Sequence, residues 1–256
     1  MNLAGYFTIG LDTAQAMPAT FRPSLVLLSY LIASFGAFTF LRFAGRLSEL
    51  RSLRGPWLIA GALTMGVGIW SMHFIGMLAF DMGMPVAYDV PITLASLLVA
   101  VVVTGLGIYV VGQGPTRLWR LVGGGTAMGV GVAAMHYTGM AAMRMQAHLD
   151  YNLAIVGISL GIAVVASIAA LWLVFNTTRL WQIVASALVM GLAVCGMHYT
   201  GMKAAIMRHD AALPAQVVGL SPEILAYVVF LVTLVILSLA SLLGSDRQAM
   251  TIRRTT

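Results

Sequence analysis

The chain has 256 residues, of which 60% are hydrophobic and only 9% are charged. Its mean hydropathy of +0.95 is typical of proteins with several transmembrane segments and argues against a soluble globular domain. The formal net charge is +6, but the basic residues lie in short loops between apolar runs, which argues against nucleic acid as a partner. The single cysteine, Cys195, excludes an intrachain disulfide and any metal site built from several cysteines.

The apolar runs predict seven transmembrane helices of about 20 residues each, embedded in the lipid bilayer. Residues 1–24 are predicted to form an outer N-terminal leader without a removable signal peptide. The seven-helix domain covers residues 25–243, and residues 244–256 form a predicted cytoplasmic tail. The predicted helices span residues 24–41, 57–80, 91–111, 118–143, 153–175, 180–202 and 222–243.

The charges of the connecting loops predict the orientation of these helices. If the N-terminus is outside, the inner segments carry ten Lys or Arg and two acidic residues, whereas the outer segments carry four and six. Because basic residues collect in cytoplasmic loops, this asymmetry predicts an outer N-terminus and a cytoplasmic C-terminus.

One short motif occurs three times in the chain. The copies are MHFIGM at residues 72–77, MHYTGM at residues 135–140 and MHYTGM at residues 197–202. Their histidines, His73, His136 and His198, are 63 and 62 residues apart, and a Met-Gly pair lies at the same distance before each one. The glycines after and before each histidine predict close packing of the motif face against another helix.

The repeat is larger than the motif. Tyr88-Asp89 and Tyr151-Asn152 are also 63 residues apart, so the repeating unit is a motif helix plus the helix that follows it. The motif helices all run outward, which makes the repeats parallel and relates them by an axis along the membrane normal. We therefore predict an all-α, pseudo-threefold bundle of three two-helix repeats, with the first helix unmatched and the three histidines at one level near the outer face.

Three histidines at identical positions inside a membrane favour a functional role, because intramembrane ionisable groups are costly. Imidazole suits copper, zinc and iron, whereas thioethers select copper, so the combination predicts copper first and zinc second. The candidate ligands are His73, His136 and His198, with Met72, Met135 and Met197 before them and Met77, Met140 and Met202 after them. The two methionines of a copy lie on opposite sides of its histidine, and the pattern does not choose between them. The alternative is that the histidines and methionines serve helix packing alone.

The hydroxyl groups of the second and third copies are further candidates. Tyr137 and Tyr199, each followed by a threonine, can donate hydrogen bonds around a metal or to a bound diatomic ligand. The first copy has Phe74 and Ile75 at these positions, so the three copies are not chemically equivalent. Cys195, three residues before His198, is either a further ligand or a small buried residue.

These motifs closely resemble the MHYT domain, a bacterial integral membrane sensor module named for the repeated tetrapeptide, over nearly the whole chain. The resemblance implies a bacterial inner membrane location, a bound copper ion and the sensing of oxygen, carbon monoxide or nitric oxide. It implies the ligands Met72, His73, Met135, His136, Met197 and His198. It also implies a cytoplasmic output domain or partner protein, commonly an enzyme of cyclic-di-GMP turnover or a histidine kinase. Because the sequence ends about a dozen residues after the seventh predicted helix, we expect no catalysis by this chain itself.

Two other classes compete with a sensor. A copper transporter needs a polar path through the inner half of the membrane, where the sequence offers few ligands beyond Met65, Met128 and Met190. A zinc-dependent intramembrane hydrolase needs an open metal position and a general acid or base, for which Asp81 and Asp89 are the candidates. The sequence favours a sensor whose metal site binds a diatomic gas or responds to redox state, and it makes no prediction of oligomeric state.

Overall fold

The computed structural model describes residues 7–8, 17–44, 54–113, 117–177, 179–213 and 218–255. Within these ranges the chain forms seven α-helices. They are α1 (Pro23–Ala44), α2 (Arg54–Leu78), α3 (Val90–Gly112), α4 (Leu118–Ala141), α5 (Leu153–Asn176), α6 (Leu180–Ala204) and α7 (Pro222–Thr255). The predicted helices are all present with ends within three residues, except that α7 continues to Thr255, well beyond its predicted end at residue 243.

Six of the helices have the length and apolar composition of membrane spans, namely α1, α2, α3, α5, α6 and α7. Helix α4 has 24 residues but does not meet the same hydropathy, because six glycines and Arg120 dilute its apolar side chains. The prediction of a polytopic membrane bundle is therefore confirmed for six spans by composition. Helix α4 has the length of a seventh and packs between α3 and α5.

Helices α1 to α6 form a closed ring in which each helix packs against its neighbours in sequence and α6 returns to α1. The motif helices α2, α4 and α6 alternate around this ring and also contact one another at its centre. Helix α7 lies outside the ring, chiefly against α2 with a smaller contact on α1. The bundle thus has threefold character around the three motif copies.

The prediction that the first helix is unmatched is wrong in space, because α1 takes the place that α3 and α5 take beside the other motif helices. The glycine of each upstream Met-Gly pair packs against the backbone of the neighbouring ring helix. These contacts pair Gly66 with Val101, Gly129 with Val164 and Gly191 with Ser34. The partners lie on α3, α5 and α1, so the neighbour of α6 in this role is α1, while α7 stands apart.

Two further sets of residues show the same correspondence. The motif end of the bundle is the end at which α2, α4 and α6 finish and α1, α3 and α5 begin. At this end an aromatic residue just before α1, α3 and α5 makes an edge contact with the residue that follows each motif histidine. These ring pairs are Phe21 with Tyr199, Tyr88 with Phe74 and Tyr151 with Tyr137. Eight residues later comes a fully buried serine that donates to the carbonyl three residues before it. These serines are Ser29, Ser96 and Ser159.

Short strands tie together the loops at the motif end of the bundle, an addition to the all-α expectation. They are β1 (Phe7–Thr8), β2 (Thr20–Phe21), β3 (Phe80–Asp81), β4 (Ala87–Tyr88), β5 (Met143–Arg144), β6 (Ala147–Asn152) and β7 (Ala205–His209). Strand β2 pairs with β3, β4 pairs with β5, and β6 pairs with both β1 and β7. The described part of the predicted leader is therefore hydrogen-bonded to the loops that follow α2 and α4, while residues 1–6 and 9–16 lie outside the described residues.

The N-caps of α3 and α5 lie at the second residue of the repeated Tyr88-Asp89 and Tyr151-Asn152 pairs. The Asp89 carboxylate accepts from the backbone N–H of Ile92, and the Asn152 side chain accepts from the N–H groups of Ala154 and Ile155. These N-caps satisfy donors that the first helical turn leaves unpaired. They fix the level at which each of these helices enters the bundle.

Candidate metal centre

The three motif histidines meet at the centre of the ring. His73 on α2, His136 on α4 and His198 on α6 lie five or six residues before the ends of their helices and are at most 1% exposed. Their Nδ1 atoms are separated by 3.0 Å between His73 and His136, 3.1 Å between His73 and His198, and 3.3 Å between His136 and His198. The predicted meeting of the histidines at one level is what the structure shows.

The planes of the three imidazoles are nearly perpendicular to one another. The ring centroids are 4.9 to 5.1 Å apart, and the interplanar angles are 80°, 85° and 89°. With this arrangement the rings do not stack, and one nitrogen of each ring points to a shared centre. Three helices therefore present three nitrogen atoms as a compact triangle.

The glycine three residues after each histidine makes room for these rings. A Cβ atom at Gly76 would collide with Nε2 of His198, one at Gly139 with Nε2 of His73, and one at Gly201 with Nε2 of His136. The sequence predicts that this glycine admits another helix. The structure shows that it admits the imidazole of another motif helix, so motif glycine and motif histidine form one interlocking unit.

Hydrogen bonding alone does not satisfy the triangle. A neutral imidazole nitrogen either donates or accepts, so among three mutually close Nδ1 atoms at least one pair must be alike and repel. The Nε2 atoms are buried as well, and none makes a hydrogen bond of good geometry to a described residue. Unpaired buried polar groups are costly, and a cation at the centre of the triangle removes the conflict among the three lone pairs.

The triangle fits a metal ion. Imidazole nitrogens bind zinc at about 2.0–2.1 Å, which places neighbouring ligand atoms roughly 3.3–3.6 Å apart in tetrahedral or trigonal geometry. The observed separations of 3.0 to 3.3 Å are close to these values. In the described part of the chain, these histidines are the one group of three His, Cys, Asp or Glu residues whose ligand atoms all lie within 4.8 Å.

The six motif methionines are all buried but occupy different surroundings. They are Met72, Met135, Met197, Met77, Met140 and Met202, each at most 2% exposed. Met72 packs in a small cluster with Ala33 and Cys195, which accounts for Cys195 as a small buried residue. Met77 lines a cavity at the motif end, whereas Met197 lines an apolar cavity of about 20 Å³ toward the other end. Their role as metal ligands stays a prediction.

The tyrosine hydroxyls that follow two of the histidines are engaged in the seams between ring helices. The pairs are Tyr137 with Ser159 at 2.7 Å and Tyr199 with Ser29 at 2.9 Å. In the first copy, where Phe74 has no hydroxyl, the indole N–H of Trp70 donates to Ser96 at 3.1 Å. Trp70 thus supplies the hydrogen bond that the missing Tyr hydroxyl of the first copy would make, and only the packing reveals this.

The carboxylates proposed for a hydrolase lie in surface ion pairs. Asp81 is 2.6 Å from Arg22, and Asp89 is 2.6 Å from Arg144. The hydrogen bonds from these guanidinium groups lower the pKa of both carboxyl groups. A general base needs a pKa near the working pH, so these groups are poorly suited to that role.

The chain matches a known family over most of its length. The family model described as the bacterial signalling protein N-terminal repeat, MHYT, matches residues 66–124, 129–187 and 191–253. The third matched segment includes most of α7, so α7 is the sequence counterpart of α3 and α5 even though α1 takes their place in space.

Curated bacterial proteins resemble the chain as well. The bifunctional diguanylate cyclase/cyclic di-GMP phosphodiesterase MucR of Pseudomonas aeruginosa is 41% identical over 91% of this chain and 35% of its own length. The cyclic di-GMP phosphodiesterase NbdA of the same organism is 37% identical over 77% of this chain and 26% of its own length. The signaling protein YkoW of Bacillus subtilis is 34% identical over 76% of this chain and 25% of its own length. The chain thus spans about a third or less of these relatives, and no solved structure matches it.

Proposed function

Because the chain belongs to the MHYT family of bacterial signalling repeats, we propose that it senses through a metal ion held by His73, His136 and His198. The convergence of their three Nδ1 atoms to within 3.3 Å carries this proposal. A buried triangle of nitrogens has little reason to form for packing alone, since like groups repel one another there. The chain is proposed to sense rather than to catalyse.

Copper is the metal we favour, with zinc second. The donor set is three imidazoles surrounded by buried thioethers, and thioethers prefer soft copper. In this proposal Nδ1 of each histidine binds the ion and Nε2 keeps its proton against the glycine of the next motif helix. When bound, the ion supplies either a redox couple or a coordination position for a diatomic gas such as oxygen, carbon monoxide or nitric oxide.

The orientation is also part of the proposal. The loops at the motif end contain the acidic residues Asp81, Asp89, Asp150 and Asp210, whereas the opposite end carries Arg117, Arg120 and Arg179. Basic residues favour the cytoplasmic side, so the metal centre lies near the outer face of a bacterial inner membrane. The N-terminus is then outside and the C-terminus is in the cytoplasm.

Signal output is proposed to pass through α7. This helix is attached to motif helix α2 by a hydrogen bond of 2.6 Å between the buried hydroxyls of Thr233 and Ser71, two residues before His73. At 34 residues it is the longest helix described. The relatives whose names specify an activity act on cyclic di-GMP. We therefore expect the output to be a cytoplasmic domain or partner protein of that kind.

The test is the metal content of the purified chain, measured by elemental analysis in metal-replete preparations. We expect about one copper ion per chain to have nitrogen neighbours by X-ray absorption, and we expect that ion to be lost in His73→Ala, His136→Ala and His198→Ala. His209→Ala is the matched control, because His209 is exposed on β7 outside the triangle and its loss leaves the metal in place. Zinc instead of copper would change the identity of the ion. A wild-type chain without metal would overturn the proposal.

A further inference from the structure

A second group of metal-binding side chains lies at the motif end of the bundle, outside the histidine triangle. A cavity of about 170 Å³ opens there beside the end of α2. Four methionines line it, Met77, Met82, Met84 and Met143. They come from three parts of the chain: the last turn of α2, the loop between β3 and β4, and strand β5.

The methionines are held in place around this space. Met77, Met82 and Met143 are 2%, 9% and 9% exposed, and Met84 is partly buried. Gly83, between two of them, has φ of +66°, a left-handed conformation that residues with a side chain rarely adopt. This turn lets Met82 and Met84 both line the cavity.

The charge around the cavity favours a cation. Its lining includes Arg22, Asp81 and Glu223. The Arg22 guanidinium is neutralised by Asp81 at 2.6 Å, and Glu223 makes no ion pair with another described residue. One net negative charge therefore remains beside a group of neutral thioethers.

We propose that this methionine pocket binds a soft monovalent metal ion, Cu(I), through its thioethers, separately from the histidine triangle. Thioethers select Cu(I) over harder ions, and the pocket offers no imidazole or thiol among its lining residues. Met77 is four residues beyond His73 on α2, about 6 Å along the helix. With the orientation proposed above, the pocket therefore lies on the outer side of the triangle.

The experiment titrates the full chain with Ag(I), a redox-inert soft cation, in detergent. The variant Met82→Leu/Met84→Leu/Met143→Leu removes three thioethers and keeps the side-chain volumes, and Met77 stays because it neighbours His73. Met145→Leu is the matched control, since Met145 lies on the same side of the bundle without lining the cavity. We expect the triple variant to bind Ag(I) at least about tenfold more weakly than the wild type, and the control to bind as the wild type does.

Two further measurements separate the pocket from the triangle. X-ray absorption of the wild type with one equivalent of Ag(I) is expected to show sulfur neighbours, and the triple methionine variant is expected to keep its histidine-bound metal. Unchanged Ag(I) affinity in that variant, or nitrogen as the only neighbour of silver, would overturn the pocket. Silver binding to the pocket in a chain whose triangle holds no metal would support the pocket while rejecting the proposed sensing centre.

Discussion

Helices α1 and α7 are both apolar and long enough to span a membrane, yet they occupy different positions. Helix α1 completes the ring between α6 and α2, whereas α7 lies outside against α2. Helix α1 offers Phe21 at its entrance and the small residues Ser29 and Ser34 along the seam with α6. Helix α7 has no serine from residue 222 to residue 237.

The comparison shows that the helix beside α6 is the one whose side chains fit its seam, and that it is not the next helix along the chain. A buried tyrosine hydroxyl needs a hydrogen-bond partner, and a glycine seam needs a small residue opposite. Helix α1 supplies both to α6. Helix α7 lies at the edge of the bundle, outside the ring.

The largest effect is expected from a methyl group placed at the glycines that pack against the neighbouring ring helix. At Gly129, an added Cβ would lie 2.5 Å from Cα of Val164, so Gly129→Ala is expected to destabilise the bundle by about 1–3 kcal/mol. Gly191→Ala is expected to cost less, because it meets mainly the Ser34 hydroxyl, which can rotate. Thermal unfolding in detergent measures both.

Matched controls lie on the same two helices. Gly123 on α4 and Gly196 on α6 have nothing within 4 Å of an added Cβ. Alanine there is expected to be neutral or stabilising, since alanine favours a helix over glycine by about 1 kcal/mol. If Gly191→Ala stabilises the chain as much as Gly196→Ala does, α1 is not the neighbour that this seam requires.

A smaller effect is expected from the tyrosine hydroxyls. Tyr199→Phe removes the hydrogen bond to Ser29 on α1, and Tyr137→Phe removes the one to Ser159 on α5. Each substitution is expected to cost about 0.5–1.5 kcal/mol of stability, measured by the same unfolding experiment. Tyr227→Phe on α7 is the control, because Tyr227 is 75% exposed. Similar losses of stability in Tyr137→Phe and Tyr199→Phe would support the equivalence of α1 and α5 as neighbours of a motif helix. A loss of stability in Tyr137→Phe alone would contradict it.

The smallest effect is expected from the N-cap of α3, which carries a charge that the N-cap of α5 lacks, so that its contribution to stability depends on pH. The Arg144 hydrogen bond lowers the pKa of Asp89 in the folded chain, so this residue stabilises the fold above its unfolded pKa of about 4. That contribution is lost as the pH falls through the lower folded value. Asp89→Asn keeps a capping side chain, like Asn152 on α5, without the charge.

We therefore expect Asp89→Asn to lower the unfolding temperature slightly at pH 7 and to approach the wild type progressively as the pH falls below about 4. Asp81 and Asp210 have lowered pKa values for similar reasons, so the relevant quantity is the difference between variant and wild type. A difference that stays constant across this range would show that the Asp89 charge does not contribute.

Hydropathy was sufficient to predict the helices, and the repeated register was sufficient to predict that His73, His136 and His198 meet. Both signals are long and periodic, so they survive without knowledge of packing. The pairing of α1 with α6 depends on contacts between residues 150 or more positions apart, such as Ser29 with Tyr199. The aromatic-to-serine spacing of eight residues in α1, α3 and α5 was the available signal, and it was missed.

The short strands and the role of Trp70 were beyond prediction for different reasons. Most of these strands are two residues long, too short to show the alternation by which strands are predicted. Trp70 replaces the missing hydroxyl of Phe74 from a different position in the motif helix. Only the packed seam shows that Trp70 donates to Ser96, the serine that corresponds to the tyrosine partners Ser29 and Ser159.

The fit of each imidazole into the next motif glycine has a mechanical consequence. The contacts run in one direction, from His73 to α4 at Gly139, from His136 to α6 at Gly201, and from His198 back to α2 at Gly76. A displacement of one imidazole is therefore expected to displace the following motif helix, and that helix carries the histidine that contacts the third. The three motif helices are thus coupled in a closed cycle, and α2 is also joined to α7 by the hydrogen bond between Thr233 and Ser71.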